Sequence, residues 1–115
     1  MPKDTNPNGT IFGGIILSYI DQAGAIEAMR QMPHNYVTVK MNEVIFKKPV
    51  MVGDILSCWA KTKEVGDTSI TIQVDVYACH SDTIGKKKVL VTSAEVVYVA
   101  LDRTGRPTPI FENCP

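Results

Sequence analysis

The sequence predicts an α+β fold in which one long helix is wrapped by an antiparallel β-sheet. Residues 15–29 are almost all apolar; the exceptions are Ser18, Asp21, Gln22 and Glu27. A helix that is apolar on nearly every side is expected to be buried on nearly every side. The later segments have the β-branched and aromatic composition, or the apolar–polar alternation, of strands. Four long strands with short connections can curl around a single helix.

The bounds of each element follow from local signals. The helix is predicted over Gly13–Gln31, because Pro and Asn residues precede it and Pro33 ends it. The predicted strands are Tyr36–Phe46, Ile55–Val65, a third that starts at Ser69 behind the Gly66-Asp67 turn, and Val89–Leu101. The third strand alternates cleanly, so one of its faces should lie on a core. The fourth is almost continuously apolar, as expected of a central strand. The tail from Asp102 is expected to be irregular.

Composition limits the class of protein. With 115 residues the chain is expected to form one domain over 1–115. Twelve basic and twelve acidic residues give no net charge, which argues against a nucleic-acid partner. No apolar run reaches the roughly 18–20 residues of a membrane span, and no signal peptide is visible. The three cysteines are widely spaced and form no CxxC pair, so we expect reduced thiols, a cytoplasmic location and no metal site.

Asp21 is the first candidate for chemistry. It lies in the middle of the helix, where Leu17, Ile20 and Ala25 surround it within a turn. A carboxylate in apolar surroundings must find hydrogen bonds or shift its pKa upward, and either outcome suits a general base or a nucleophile. The alternative is that Asp21 lies on a narrow solvent-facing stripe with Ser18 and Gln22.

Gly13 and Gly14 are the second candidates. Glycines at a helix start leave backbone N–H groups uncovered, and these donors can polarise a carbonyl or hold an anion at the positive end of the helix dipole. The alternative is a plain loop whose glycines serve backbone freedom.

Lysine clusters are the third candidates. Lys47-Lys48 precede a proline turn, and Lys86-Lys87-Lys88 precede the last strand. Either cluster could meet a phosphate-bearing ligand, or simply be a solvated hairpin end. No serine lies in a GxSxG elbow, which disfavours a serine hydrolase, and the phosphate-loop and dinucleotide glycine patterns are absent.

The chain resembles a known family along nearly its whole length. The resemblance begins with Asp4-Thr5-Asn6-Pro7-Asn8-Gly9, Ile11-Phe12-Gly13-Gly14 and Asp21-Gln22-Ala23-Gly24-Ala25-Ile26, and continues through Val37-Thr38-Val39, Phe46-Lys47-Lys48-Pro49, Val52-Gly53-Asp54 and Tyr98-Val99-Ala100-Leu101-Asp102. These segments are similar to hotdog-fold acyl-CoA thioesterases of the YciA and brain acyl-CoA hydrolase type. The hotdog fold, a long helix wrapped by an antiparallel sheet, agrees with the architecture predicted above.

The resemblance implies a reaction and a set of residues. It implies hydrolysis of acyl-CoA to a free acid and coenzyme A, with no cofactor beyond the substrate. The catalytic carboxylate falls on Asp21, the functional asparagine on Asn6, and the carbonyl-polarising donors on Gly13 and Gly14. The coenzyme A contacts implied at the subunit boundary are Asn42, Lys47, Lys48, Gly66, Ser69, Lys87 and Lys88.

The resemblance also implies an assembly, in which Asn6 and Asp21 meet across a homodimer and three dimers form a hexamer. Relatives carry a further strand ahead of the Asp4–Asn6 segment, so an upstream edge strand is expected to be missing here.

Two alternatives to a hydrolase stay open. A non-catalytic acyl-CoA-binding module could use the same groove, although such a module would need neither Asp21 nor Asn6. A hotdog hydratase or dehydratase would need a histidine–acid pair, for which His34 and His80 are poorly placed.

Overall fold

The computed structural model describes residues 13–80 and 88–111. It contains one helix, α1 (Gly13–Gln31), and four strands, β1 (Asn35–Phe46), β2 (Asp54–Val65), β3 (Ser69–His80) and β4 (Val89–Leu101). The predicted elements are all present, with bounds within a residue of those expected where a bound was given. Asn6, Lys86 and Lys87 lie outside the described residues.

The four strands form one antiparallel sheet in the order β1-β4-β3-β2. β3 and β4 are therefore central and β1 and β2 are the edges, which confirms the central position predicted for Val89–Leu101. Tyr36 pairs with Ala100 at one end of the sheet and Phe46 with Thr92 at the other. Edge strand β1 has irregular pairing in two places, and in the second of them Glu43 has a positive φ of 50°.

The core lies between α1 and the face of the sheet formed by alternate residues of β3 and β4. Its fully buried side chains include Ile16, Ile20, Ile70, Ile72, Val74, Val76, Val96, Tyr98 and Ile110. The even-numbered positions of β3 point into this core, as the alternation predicted. The chain after β4 forms a turn from Asp102 to Arg106 and then crosses the sheet end, where the Ile110 N–H donates to the Asp67 carbonyl at 2.8 Å.

The helix is less buried than its composition predicts. Its buried positions are Ile16, Ile20, Gly24, Glu27 and Ala28, which form one stripe. On the opposite side Ile26 is 69% exposed and Met29 is 54% exposed. The expectation of burial on nearly every side is therefore wrong for the described chain, because four strands cover only one side of a helix. The same apolar side chains remain available to another surface.

Candidate active site

Asp21 lies where α1 faces β1 and β4, and two hydroxyl groups hold it there. The Thr38 hydroxyl donates to Asp21 Oδ1 at 2.6 Å. The Tyr98 hydroxyl lies 2.7 Å from the Asp21 main-chain carbonyl oxygen and 3.2 Å from Oδ1. The carboxylate is thus bonded to both neighbouring strands through one of its two oxygens. Within the described residues no donor contacts Oδ2.

The sheet register brings these groups together. Thr38 and Tyr98 are directly paired across β1 and β4, so their side chains leave the same face of the sheet side by side. Tyr98 is buried, whereas Thr38 lies on the exposed edge strand. Asp21 is half-buried, and its helix neighbours Ser18 and Gln22 are exposed. Asp21 therefore points toward the sheet and not along the solvent-facing stripe of Ser18 and Gln22.

Burial and charge keep the Tyr98 hydroxyl protonated. Desolvation raises the pKa of Tyr98 well above its usual value, and the Asp21 carboxylate and its hydrogen bond raise it further. The phenol is therefore a fixed donor and does not exchange protons in a reaction near neutral pH. A carboxylate with one anchored oxygen and one open oxygen is suited to attack a carbonyl carbon or to deprotonate a water.

Gly13 and Gly14 open α1, and both are exposed. Seven or eight residues separate them from Asp21, which is about 12 Å along the helix axis. The structure therefore does not bring these donors to Asp21 within one chain. A side chain at Gly13 would lie 3.2 Å from the ring of Phe46, so the helix start is packed against the end of β1.

The residues expected to contact coenzyme A lie in separate parts of the chain. Lys47 and Lys48 follow β1 beside the helix start, where their N–H groups donate to the Val91 carbonyl at 2.7 and 3.3 Å. Lys88 lies over the exposed ring of Trp59, 5.5 Å from its centroid. These lysines share one end of the sheet.

Gly66 and Ser69 form the turn between β2 and β3 at the opposite end, closed by a 2.8 Å hydrogen bond from the Gly66 N–H to the Ser69 carbonyl. A twelve-residue strand separates the two ends by about 40 Å. Asn42 lies between them, opposite Glu95 on the sheet face that points away from α1. One bound molecule therefore cannot contact all of these residues in a single chain.

A second polar cluster is centred on Glu27, which faces β2 and is buried. Its carboxylate accepts hydrogen bonds from Arg30 at 2.8 Å, from Gln31 at 3.0 Å and from Thr62 at 3.0 Å. The Arg30 guanidinium is the main cause that lowers the pKa of Glu27. Both carboxylate oxygens of Glu27 accept hydrogen bonds within the cluster, which favours a structural role that joins the helix to the sheet edge.

Thr38 and Tyr98 were not predicted as site residues. The available signal was weak: both are hydroxyl-bearing residues on inward positions of strands whose other inward residues are mostly apolar.

His34 does not form the histidine–acid pair of a hydratase, because it contacts the Ile110 carbonyl at 2.7 Å and no carboxylate of the described residues. Among residues 13–80 and 88–111, no group of three or more His, Cys, Asp or Glu side chains could hold a metal ion, and no helix is long and apolar enough to cross a membrane.

Comparison with known proteins identifies the family. Residues 8–84 match the model of the thioesterase superfamily. The chain is 46% identical over 113 residues to an uncharacterized acyl-CoA thioester hydrolase of Buchnera aphidicola, covering 96% of this chain and 83% of that protein. It is 41% identical over 112 residues to the acyl-CoA thioester hydrolase YciA of Salmonella typhimurium, with 96% and 84% covered.

Solved structures give the same result for the fold. A hexameric hotdog-fold thioesterase of Campylobacter jejuni superposes with a TM-score of 0.86 at 50% identity, covering 96% of this chain and 84% of that one. A hexameric thioesterase from Yersinia pestis superposes with a TM-score of 0.90 at 40% identity, covering 97% and 90%. The fold is the hotdog fold, as the resemblance implied. The chain belongs to the thioesterase superfamily.

Proposed function

We propose that this protein hydrolyses acyl-CoA thioesters to a free carboxylic acid and coenzyme A. The observation that carries the proposal is the Asp21 carboxylate, which is held at Oδ1 by Thr38 and open at Oδ2. The names of the relatives, acyl-CoA thioester hydrolases, support the same reaction. Asp21 is the residue that acts on the thioester.

The reaction needs an oxygen nucleophile, a stabilised oxyanion and a proton for the leaving group. Asp21 deprotonates a water that attacks the thioester carbonyl, or attacks it directly and is released by water. The acyl–sulfur bond breaks, an acyl–oxygen bond forms, and the departing sulfur takes a proton to become the coenzyme A thiol. Asn6 positions the water or the carbonyl, and the N–H groups at Gly13 and Gly14 stabilise the oxyanion. The proposed reaction uses no cofactor beyond the substrate.

The distance between the donors and Asp21 supports a site shared between two copies. Gly13 and Gly14 are about 12 Å from Asp21 along one helix, which is too far for both to contact the same carbonyl. A second copy can supply them if it pairs with β1, the strand that carries Thr38 and forms an edge of the sheet among the described residues. Exposed apolar residues on β1, Val37 and Val39, favour such pairing. We propose a homodimer through β1, with three dimers in a hexamer.

A shared site also accommodates the expected coenzyme A contacts. Lys47, Lys48 and Lys88 lie at one end of the sheet and Gly66 and Ser69 at the other, so one coenzyme A would contact one set from each copy. Asn42 and Lys87 complete the proposed set. The proposed place of action is the cytoplasm.

Thiol release from a series of acyl-CoAs, short to long, tests the function. The natural protein should release thiol, and Asp21→Ala and Asp21→Asn should lower kcat by about 10²- to 10⁴-fold. Asp21→Asn keeps an acceptor for Thr38, so its loss of activity would not reflect a lost contact. Asp75→Asn is the matched control, because the Asp75 carboxylate also accepts a hydrogen bond from a side chain, Gln73 at 3.2 Å, but lies on the outward face of β3.

The rival function predicts a different outcome of the same assay. A non-catalytic module would bind acyl-CoA with measurable affinity in a calorimeter and release no thiol above background. Binding without thiol release by the natural protein would overturn the proposal in favour of that module. Full activity of both Asp21 variants would overturn the assignment of Asp21.

A further inference from the structure

The contact between Tyr98 and α1 depends on the absence of a side chain at position 24. Gly24 is buried in the middle of the helix, one turn after Asp21. A Cβ at this position would overlap the Tyr98 hydroxyl oxygen and lie 3.1 Å from Cε2 and Cζ of the ring. No side chain fits there while the hydroxyl keeps its position. Glycine is unfavourable inside a helix relative to alanine, so the close approach comes at a cost in helix stability.

The Tyr98 ring is enclosed by the core on the side away from this contact. Tyr98 is 1% exposed, and its flanking inward neighbours on β4, Val96 and Ala100, are fully buried. The hydroxyl is thus fixed against the helix backbone by the core on one side and by Gly24 on the other. Its single proton is shared between the Asp21 carbonyl oxygen at 2.7 Å and Oδ1 at 3.2 Å.

The two hydroxyl donors select between the carboxylate oxygens. Thr38, at 2.6 Å, and Tyr98, at 3.2 Å, both approach Oδ1, and neither approaches Oδ2. An oxygen that accepts two hydrogen bonds is a weaker base and nucleophile than one that accepts none. The shorter contact of Tyr98, to the main chain, fixes the helical turn that carries the carboxylate.

We propose that Tyr98, whose hydroxyl packs against the backbone of Gly24, is a positioning residue that makes Oδ2 the reacting oxygen of Asp21. The inference rests on the proposed function and adds to it the orientation of the carboxylate. Tyr98 itself touches no reacting atom; it acts through Asp21.

Tyr98→Phe tests the inference, with Tyr36→Phe as its matched control. Tyr36 also donates its hydroxyl to the backbone of α1, to the Met32 carbonyl at 2.7 Å, but it does not contact Asp21. We expect Tyr98→Phe to lower kcat about tenfold or more while KM stays within about twofold, because misorientation of the reacting group affects the chemical step. We expect Tyr36→Phe to retain kcat within about twofold.

The split between kcat and KM separates a positioning role from a merely structural one. A misoriented Asp21 carboxylate lowers kcat and leaves KM nearly unchanged, whereas general damage to the fold changes both constants and lowers the unfolding midpoint in urea. We expect the first pattern in Tyr98→Phe and neither pattern in Tyr36→Phe.

Gly24→Ala supplies a second, independent variant. Alone, its methyl group must displace the Tyr98 hydroxyl, and kcat should fall about as far as in Tyr98→Phe. In the double variant Gly24→Ala/Tyr98→Phe the closest contact is gone, so kcat should match that of Tyr98→Phe. Losses that instead multiply in the double variant, or equal kcat values in Tyr98→Phe and Tyr36→Phe, would overturn the inference. If Asp21→Ala kept its activity, the proposed function itself would fail, whatever the result at Tyr98.

Discussion

Replacement of Thr38 by valine removes the shortest hydrogen bond to the proposed catalytic carboxylate and leaves the shape of the side chain nearly unchanged. The bond from Thr38 Oγ1 to Asp21 Oδ1 measures 2.6 Å, a length typical of a hydroxyl bonded to an ionised carboxylate. Such bonds contribute about 1.5–3 kcal/mol. Because Thr38 is on an exposed edge strand, water can partly replace it, and the lower end of that range applies.

A loss of about 1.4 kcal/mol in the transition state corresponds to about tenfold in kcat/KM. The assay is thiol release at several substrate concentrations, with Thr38→Ser as the matched control because serine keeps the hydroxyl. Thr38→Val should lose about tenfold and Thr38→Ser less than about threefold. The unfolding midpoint in urea should hardly differ between the two variants, since position 38 is exposed. Equal kcat/KM in the valine and serine variants would refute the reasoning, because only the hydroxyl distinguishes them.

The remaining predictions concern stability. The pKa of Glu27 is lower in the folded chain than in the unfolded chain. Its ion pair with Arg30 therefore stabilises the fold fully at pH values above the pKa of the unfolded chain. This stabilisation is lost as the pH falls through the pKa of the folded chain. Glu27→Gln should therefore cost about 1 kcal/mol in urea unfolding at pH 7, and this cost should shrink as the pH is lowered below the carboxyl's unfolded pKa; a cost that stays constant over the acid range would contradict this. Ile20→Ala should cost about 2–5 kcal/mol in urea unfolding, because Ile20 is 0% exposed in the core. Ile26→Ala, at an exposed position on the same helix, should cost far less in the same measurement, and equal costs would contradict the observed burial.

The elements of this fold were predictable because their signals are local. The period-two pattern from Ser69 to Val76 and the Pro33 stop define an element and an end without any knowledge of tertiary contacts. Burial of the helix was overpredicted for a different reason. Ile26 and Met29 are as apolar as the buried residues Ile16 and Ile20. The two pairs differ only in the side of the helix on which they lie, and the sequence does not show which side the sheet covers.

The sequence predicted the candidate carboxylate of the site but not the residues that hold it in place. Asp21 was identifiable because a carboxylate in an apolar helix is unusual. Thr38 and Tyr98 were not, because their contact with Asp21 depends on the pairing of β1 with β4, and β1 shifts its register immediately after Thr38. The role of Gly24 was not predictable, since the space beside it is occupied by the Tyr98 side chain, which comes from the far end of the chain.

The central claim is that Asp21 of one copy and Asn6 of another form one hydrolytic centre. Mixed oligomers test this claim most directly. Asp21→Asn and Asn6→Ala chains with different affinity tags would be co-expressed, and the mixed oligomers purified and assayed for thiol release. Each variant alone should be inactive. In a two-fold dimer one of the two sites of a mixed pair is intact, so a purified mixed dimer should show about half of the natural turnover, and mixed hexamers whose dimers pair at random should show about one quarter. Mixed oligomers that stay as inactive as the separate variants would contradict the shared centre.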